Sequence, residues 1–484
     1  LILSAFLLAA AGAGEPRALV VGTLADPTTL EPHRAIDAVG AEIVANVCET
    51  LVRIRPGSIQ AEGVLAMTWA TRDQRTWTFT LREGVSFQDG APLDASAVVA
   101  NFDHLRREQA FPGHAERIGP HVVQVVLEHA NAALLPTLSQ TFFSMQSPRR
   151  LDDPAAAAVG TGPFRLASAK PGQVDLVANA GYWGDPPRLE RITFRRFASA
   201  DALARALADG SADVTSAVDP RSVPVLRRLP DVTLDSRTGL NLVYLALNDE
   251  RPPLDDPRVR QALSRAVDRS ALVRIMGGHA EPAVRVLPPA LFGHDPRTRD
   301  VVLDREYAHR VFAAAVPAGR ELTLAVSRSP RPYLAEPLAV AEKLRDDLFR
   351  SGLTVRLRET GSWREHTAAT SAGDFDMALL GWQADTLDPN DFLTALLDSA
   401  SIGTTNRSRY RSGEMDSLLK RARLDAAPQA RMALYRRAQD LFQRDMPFVP
   451  LLHSSVFTAR RREVMGLVVG PTGILRYDRA WKQL

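Results

Sequence analysis

The stretch Phe375-Asp376-Met377-Ala378-Leu379-Leu380-Gly381-Trp382-Gln383-Ala384-Asp385 decides how this chain is read. Its first half is a short apolar run, which reads as a buried strand. Its second half turns polar and ends on an acid. Upstream, positions 336–350 carry an amphipathic helical pattern closed by Ser351-Gly352. Leu353, Val355 and Leu357 then alternate as a strand. Downstream, helical patterns fill 389–398, 412–424 and 428–444. Strand–helix–strand order of this kind predicts α/β units. Asp385 then falls at the C-terminal end of a strand, the edge where α/β sheets hold ligands. A helix cap or a surface acid would look the same at this stage.

Working outward, Ala18-Leu19-Val20-Val21-Gly22-Thr23 reads as a strand leading into the loop Asp26-Pro27-Thr28-Thr29-Leu30-Glu31-Pro32. Ile36, Val39, Ile43, Val47 and Leu51 predict a helix over 36–52, with Cys48 on its apolar, core-facing side. Trp77-Thr78-Phe79-Thr80-Leu81 and the segment 122–127 alternate as strands, with Gly84 to Gly90 as a turn-rich link. Asp94 caps a helix carrying Val98, Val99, Phe102 and Leu105, and Asp256-Pro257 starts another.

At 484 residues the chain is too long for one core, so two or three lobes are expected. Hydrophobic residues at 45% and charged residues at 24% exclude a disordered chain. The single Cys48 excludes an internal disulfide and cysteine-based metal clusters. Only four of the 59 basic side chains are lysines, and the arginines are scattered among acids, which argues against a nucleic-acid surface. The opening run Leu1-Ile2-Leu3-Ser4-Ala5-Phe6-Leu7-Leu8 falls short of the roughly 20 residues that span a bilayer. With Ala11-Gly12-Ala13 behind it, it reads as the remnant of a secretory signal over 1–14. No Cys follows it, so the expectation is an exported, periplasmic protein without a lipid anchor. G-x-x-x-x-G-K-[ST], H-E-x-x-H and G-x-S-x-G are absent, and Gly160-Thr161-Gly162 lacks the third glycine of a dinucleotide loop. No catalytic residue, metal set or cofactor is expected.

Five segments in order resemble the extracytoplasmic solute-binding proteins of peptide-type ABC transporters, solute-binding family 5. They are Trp77 through Asp89-Gly90; Gly160-Thr161-Gly162-Pro163-Phe164 with Gly181-Tyr182-Trp183-Gly184; Leu254-Asp255-Asp256-Pro257-Arg258-Val259-Arg260-Gln261-Ala262-Leu263; Gly381-Trp382-Gln383-Ala384-Asp385 with Asp388-Pro389-Asn390-Asp391-Phe392; and Met446-Pro447 with His453-Ser454-Ser455-Val456-Phe457. The resemblance implies an α/β clamshell of two lobes (type II, cluster C-like) with an extra third subdomain. Lobe I would take 15–43, 162–245 and 456–484, the extra subdomain 44–161, and lobe II 246–455. The connections between lobes would run near 241–248 and 447–457.

Within the family, Ser329-Pro330-Arg331-Pro332-Tyr333 is similar to a segment of the dipeptide-binding branch. By that resemblance Arg331 receives a peptide carboxylate and Asp385 its α-ammonium, with Trp382, Trp363 and Tyr333 walling the pocket. Pairing both ends suits a buried zwitterion, because an unpaired buried charge costs several kcal/mol. The chain departs from the branch at Ser399 and Arg411, near which members often carry Cys, and at Thr386-Leu387. The implied function is capture of short di- or oligopeptides and delivery to an inner-membrane ABC permease with separate ATPase subunits, by a monomer. The same family offers a nickel chelate, haem, an opine or an antimicrobial peptide as alternative solutes. A metal reading would draw on His33 or His453, and no clustered ligands accompany either in the sequence. A secreted hydrolase or a chaperone on a similar scaffold are readings of a different class.

Overall fold

The computed structural model describes residues 17–55, 60–153, 157–295, 301–425, 427–470 and 472–483. The signal segment expected at 1–14 lies outside them. A mixed sheet of twelve strands runs through both halves of the molecule. One half is centred on Asn241–Leu247, which is buried at every position. This strand pairs antiparallel with Met377–Gln383 on one side and Phe448–Arg461 on the other. Leu322–Ser327 runs parallel to Met377–Gln383, and Val355–Thr360 continues the parallel edge.

Alternation across the central strand accounts for its composition. Val243, Leu245 and Leu247 join one apolar core with residues of the helices Pro257–Ala266 and Pro337–Arg350. Leu242, Tyr244 and Ala246 join a second with residues of Asn390–Leu397, Gly413–Leu424 and Pro428–Asp445. A strand covered on both faces reads as an unbroken apolar run, which is why this part of the sequence is so legible.

The other half is built on Ala18–Thr23, parallel to Arg191–Arg196 and Val214–Thr215. Gln173–Ala178 and Phe164–Lys170 extend it antiparallel. The halves share the 14-residue strand Phe448–Arg461. Its first part pairs with Asn241–Leu247, and its last part pairs with Val232–Thr238 and Val214–Thr215. The chain crosses a second time at Gly239-Leu240, just before the buried strand that occupies 241–247. Asn241 ties the two crossings together. Its Oδ1 accepts from the Ser454 N–H at 2.7 Å and its Nδ2 donates to the Ser454 carbonyl at 2.9 Å. The Ser454 hydroxyl donates to the Tyr333 carbonyl at 2.6 Å.

A separate four-stranded antiparallel sheet orders Ala66–Thr71, Thr76–Leu81, Val122–Leu127 and Gly113–Gly119. Trp77, Phe79, Leu81, Val123, Val125 and Leu127 form its buried face, with Val98, Phe102 and Leu105 of the helix Ala95–Arg107 in the same core. Asp94 caps that helix, accepting from the Ala97 N–H at 2.9 Å.

The helix expected over 36–52 is shorter, Ala38–Val47. Asp37 caps it by accepting from the Gly40 N–H at 2.8 Å, leaving Ile36 82% exposed outside it. It stops at Cys48 because the 160–162 backbone packs there. Gly162 N–H donates to the Val47 carbonyl at 2.9 Å, and a Cβ on Gly160 would collide with Cys48. Close backbone approach is thus the use of Gly160-Thr161-Gly162. Cys48 is a buried core thiol, its pKa pushed up by burial. No helix among the described residues is long and apolar enough to cross a membrane.

Candidate ligand-binding site

The turn after Met377–Gln383 is shaped by two acids. Asp391, in the first turn of Asn390–Leu397, accepts the N–H groups of Asp385 at 2.8 Å and Thr386 at 2.9 Å. Asp388 is buried beneath and accepts from the Arg431 guanidinium at 2.8 Å on each oxygen. The Tyr435 hydroxyl donates to Asp388 at 3.2 Å and accepts from Arg431 at 2.8 Å. With Asp388 and Asp391 so occupied, the turn presents Asp385 outward, exposed to solvent. The walls around it still desolvate its carboxyl enough to raise its pKa. Burial, with the nearby Asp385 charge, pushes Asp391 up to about 6.

A cavity of about 310 Å³ opens at this turn. Asp385, Thr386, Asp391 and Thr394 line one side, and Thr137 and Gln140 of the smaller unit line the other. Ala132 N–H donates to the Arg423 carbonyl at 2.8 Å, so the two units touch beside it. The cavity therefore combines an acidic wall with neutral hydrogen-bonding side chains.

Arg331 belongs to a tight turn in which Arg331 and Leu334 exchange backbone hydrogen bonds of 3.0 and 2.8 Å. Its guanidinium carbon lies 4.6 Å from the Trp363 ring centroid and 6.0 Å from that of Tyr333. Its Nε is buried without a hydrogen-bond partner. The Tyr333 ring covers Gly381, where a Cβ would overlap it. The remaining gap is about 10 Å³, room for about one water.

The expected residues thus fall into two groups. Arg331, Tyr333 and Trp363 form one cluster, while Asp385 lines the larger cavity. Trp382 lines neither; it is half-buried against the same core that Trp363 packs on. Its indole N–H lies toward Asp391 without a formed hydrogen bond. Both groups sit at one strand end. Gly381 and Asp385 are four residues apart, at most about 14 Å of chain.

Asp391 and the Asp388–Arg431 pair, which shape this turn, were not singled out from sequence, and neither was Glu49, which lines neither cavity. Glu49 is buried and accepts from Thr161 Oγ1 at 2.8 Å, the Tyr182 hydroxyl at 3.0 Å and the Trp183 indole at 2.7 Å. Burial raises its pKa, working against these donors. The 160–164 and 181–184 segments therefore meet on one buried acid. The signal was an acid set among apolar residues after Val47-Cys48. His453 is buried with Nδ1 2.7 Å from the Asn241 carbonyl, and burial lowers its pKa to about 4.

Two α/β halves joined by a shared strand, with an outward carboxylate and a stacked guanidinium at one strand end, define a two-lobed solute-binding protein. The chain belongs to the bacterial extracellular solute-binding proteins, family 5, whose middle region matches residues 60–404. It is 29% identical to Di/tripeptide-binding protein 2 of Pseudomonas aeruginosa, over 99% of this chain and 97% of that one. HbpA2 from Haemophilus parasuis superposes with a TM-score of 0.89 at 27% identity, covering 96% of this chain and all (100%) of the other. The dipeptide-binding protein of a Pseudoalteromonas species, solved with Met-Leu, gives a TM-score of 0.80 at 25% identity, covering 96% and 100%.

Proposed function

We propose that this protein captures short peptides between its lobes and hands them to an inner-membrane ABC permease, without chemically altering them. The observation that carries this reading is the charge arrangement at the end of Met377–Gln383. Asp385 presents an outward-facing carboxylate, and Arg331 holds a guanidinium on an aromatic face. Opposite charges within a short reach of chain suit the two ends of a zwitterion. The relatives carry di/tripeptide-binding and dipeptide-binding names, which supports the same ligand class. Asp385 takes the α-ammonium and Arg331 the carboxylate. Trp363 and Tyr333 hold the guanidinium in place, and Trp382 backs the turn. Binding favours a closed form in which Arg331 and Asp385 face one cavity. In this reading lobe I takes 15–43, 162–245 and 456–484, the extra subdomain 44–161 and lobe II 246–455, and the protein acts as an exported, periplasmic monomer.

Native mass spectrometry of the purified protein tests the reading directly. A co-purified or added dipeptide should bind one to one and leave intact. Peptide hydrolysis, or stoichiometric capture of a non-peptide solute in preference to dipeptides, overturns it.

A further inference from the structure

Glu31 and His33 flank Pro32 on the loop after Ala18–Thr23, and His104 lies in the last turn of Ala95–Arg107. All three are at least nine-tenths buried, with relative exposures of 6%, 5% and 9%. One ligand atom from each can be chosen so that all lie within 4.8 Å of one another. The rings of His33 and His104 have centroids 5.3 Å apart.

The hydrogen bonding leaves a polar gap among them. His33 Nε2 lies 3.1 Å from the Ser144 carbonyl, which can only accept, so Nε2 carries a proton. In neutral His33 the lone pair is then on Nδ1. That atom lies 3.4 Å from Glu31 Oε1 and has no hydrogen-bond partner. Glu31 Oε1 accepts the His33 backbone N–H at 3.1 Å, while Oε2 is buried and unpartnered. Two buried acceptors facing each other need a cation or a proton between them. His104, its ring tilted 36° to that of His33, adds a second imidazole beside the pair.

We propose that Glu31, His33 and His104 bind a divalent transition-metal ion of the zinc class, separate from the peptide site. Two imidazoles and one carboxylate match borderline cations such as Zn²⁺, with a fourth position for water. The Ser144 carbonyl supplies the outer hydrogen bond that fixes the His33 tautomer. A tetrahedral site places ligand atoms about 3.3 Å apart, so loading draws the side chains together by up to about 1.5 Å. The ion would join the 24–37 loop to the helix Ala95–Arg107 of the small unit and stabilise their junction.

The test uses tag-free, EDTA-stripped full chain. Calorimetric titration with ZnSO₄ should give one ion per chain and a higher thermal unfolding midpoint. His104→Gln and Glu31→Gln, checked for folding by circular dichroism, should each lower zinc affinity by at least about tenfold. Co²⁺-loaded protein should show visible absorption of a nitrogen- and oxygen-ligated ion of low coordination. That readout stands even where a variant does not fold. No saturable zinc binding by the unmutated chain, equal binding by both folded variants, or an octahedral aquo-like Co²⁺ spectrum overturns the proposal.

Discussion

Asp391 accepts the backbone N–H of Asp385 at 2.8 Å while its charge opposes the Asp385 carboxylate. One contact fixes where Asp385 stands, and the other makes a nearby cation welcome. A ligand ammonium at Asp385 relieves that repulsion.

Asp385→Ala should therefore lower dipeptide affinity by about 2 kcal/mol or more. The unfolding midpoint of the ligand-free protein should not fall, because the carboxylate faces outward and its charge is opposed by Asp391. Isothermal calorimetry with a dipeptide panel checks this, and unchanged affinity removes Asp385 from the site.

Peptide binding should weaken with acidification. Asp391 titrates at about 6, and a bound ammonium favours the ionised acids, so protons compete with ligand as pH falls through that value. Affinity should be flat above about pH 7 and decline below about pH 6. A decline that begins only below about pH 4 would place ordinary carboxylates at the site instead.

Gly381→Ala probes the other cluster. The added Cβ overlaps the Tyr333 ring, and overpacking of this kind costs about 1–3 kcal/mol. Tyr333 and the adjacent Arg331 must shift, so affinity should fall along with stability. Urea unfolding and calorimetry on the same sample separate the two effects.

Asp388→Asn leaves Arg431 charged and buried without its anion. Loss of one partner from a buried pair costs about 3–5 kcal/mol. The denaturation midpoint in urea should drop accordingly. A drop under about 1 kcal/mol would mean that water reaches Arg431.

Glu42 gives a stability signature with a definite sign. It is buried, accepts from Tyr477 at 2.6 Å and Ser216 at 2.9 Å, and burial raises its pKa to about 7. The native state thus holds this proton more tightly than the unfolded chain. Stability should fall as pH rises from about 4.5 to 7, by an amount of the order of 3 kcal/mol. Glu42→Gln should flatten that slope in thermal melts.

What the sequence revealed was local. The apolar run at 375–380 and the caps at Asp94 and Asp256 rest on spacings of a few residues; both caps form where expected, and the strand forms a little later, at Met377–Gln383. Ile36 misled because its helical spacing continues past the Asp37 cap, which excludes it. Asp391 went unassigned because its role depends on how residues 384–389 bend back over Asp388. Glu49 and the Glu31, His33 and His104 group depend on segments far apart in the chain. No spacing rule brings such partners together before the lobes are built.

The shared strand Phe448–Arg461 has a mechanical consequence. It carries ladder bonds into both halves, and Asn241 clamps it at Ser454. Any rotation of one half against the other must twist this strand as a torsion bar, not swing it on a slack tether. Each angle between the halves then has its own elastic energy, carried in part by the backbone near Ser454.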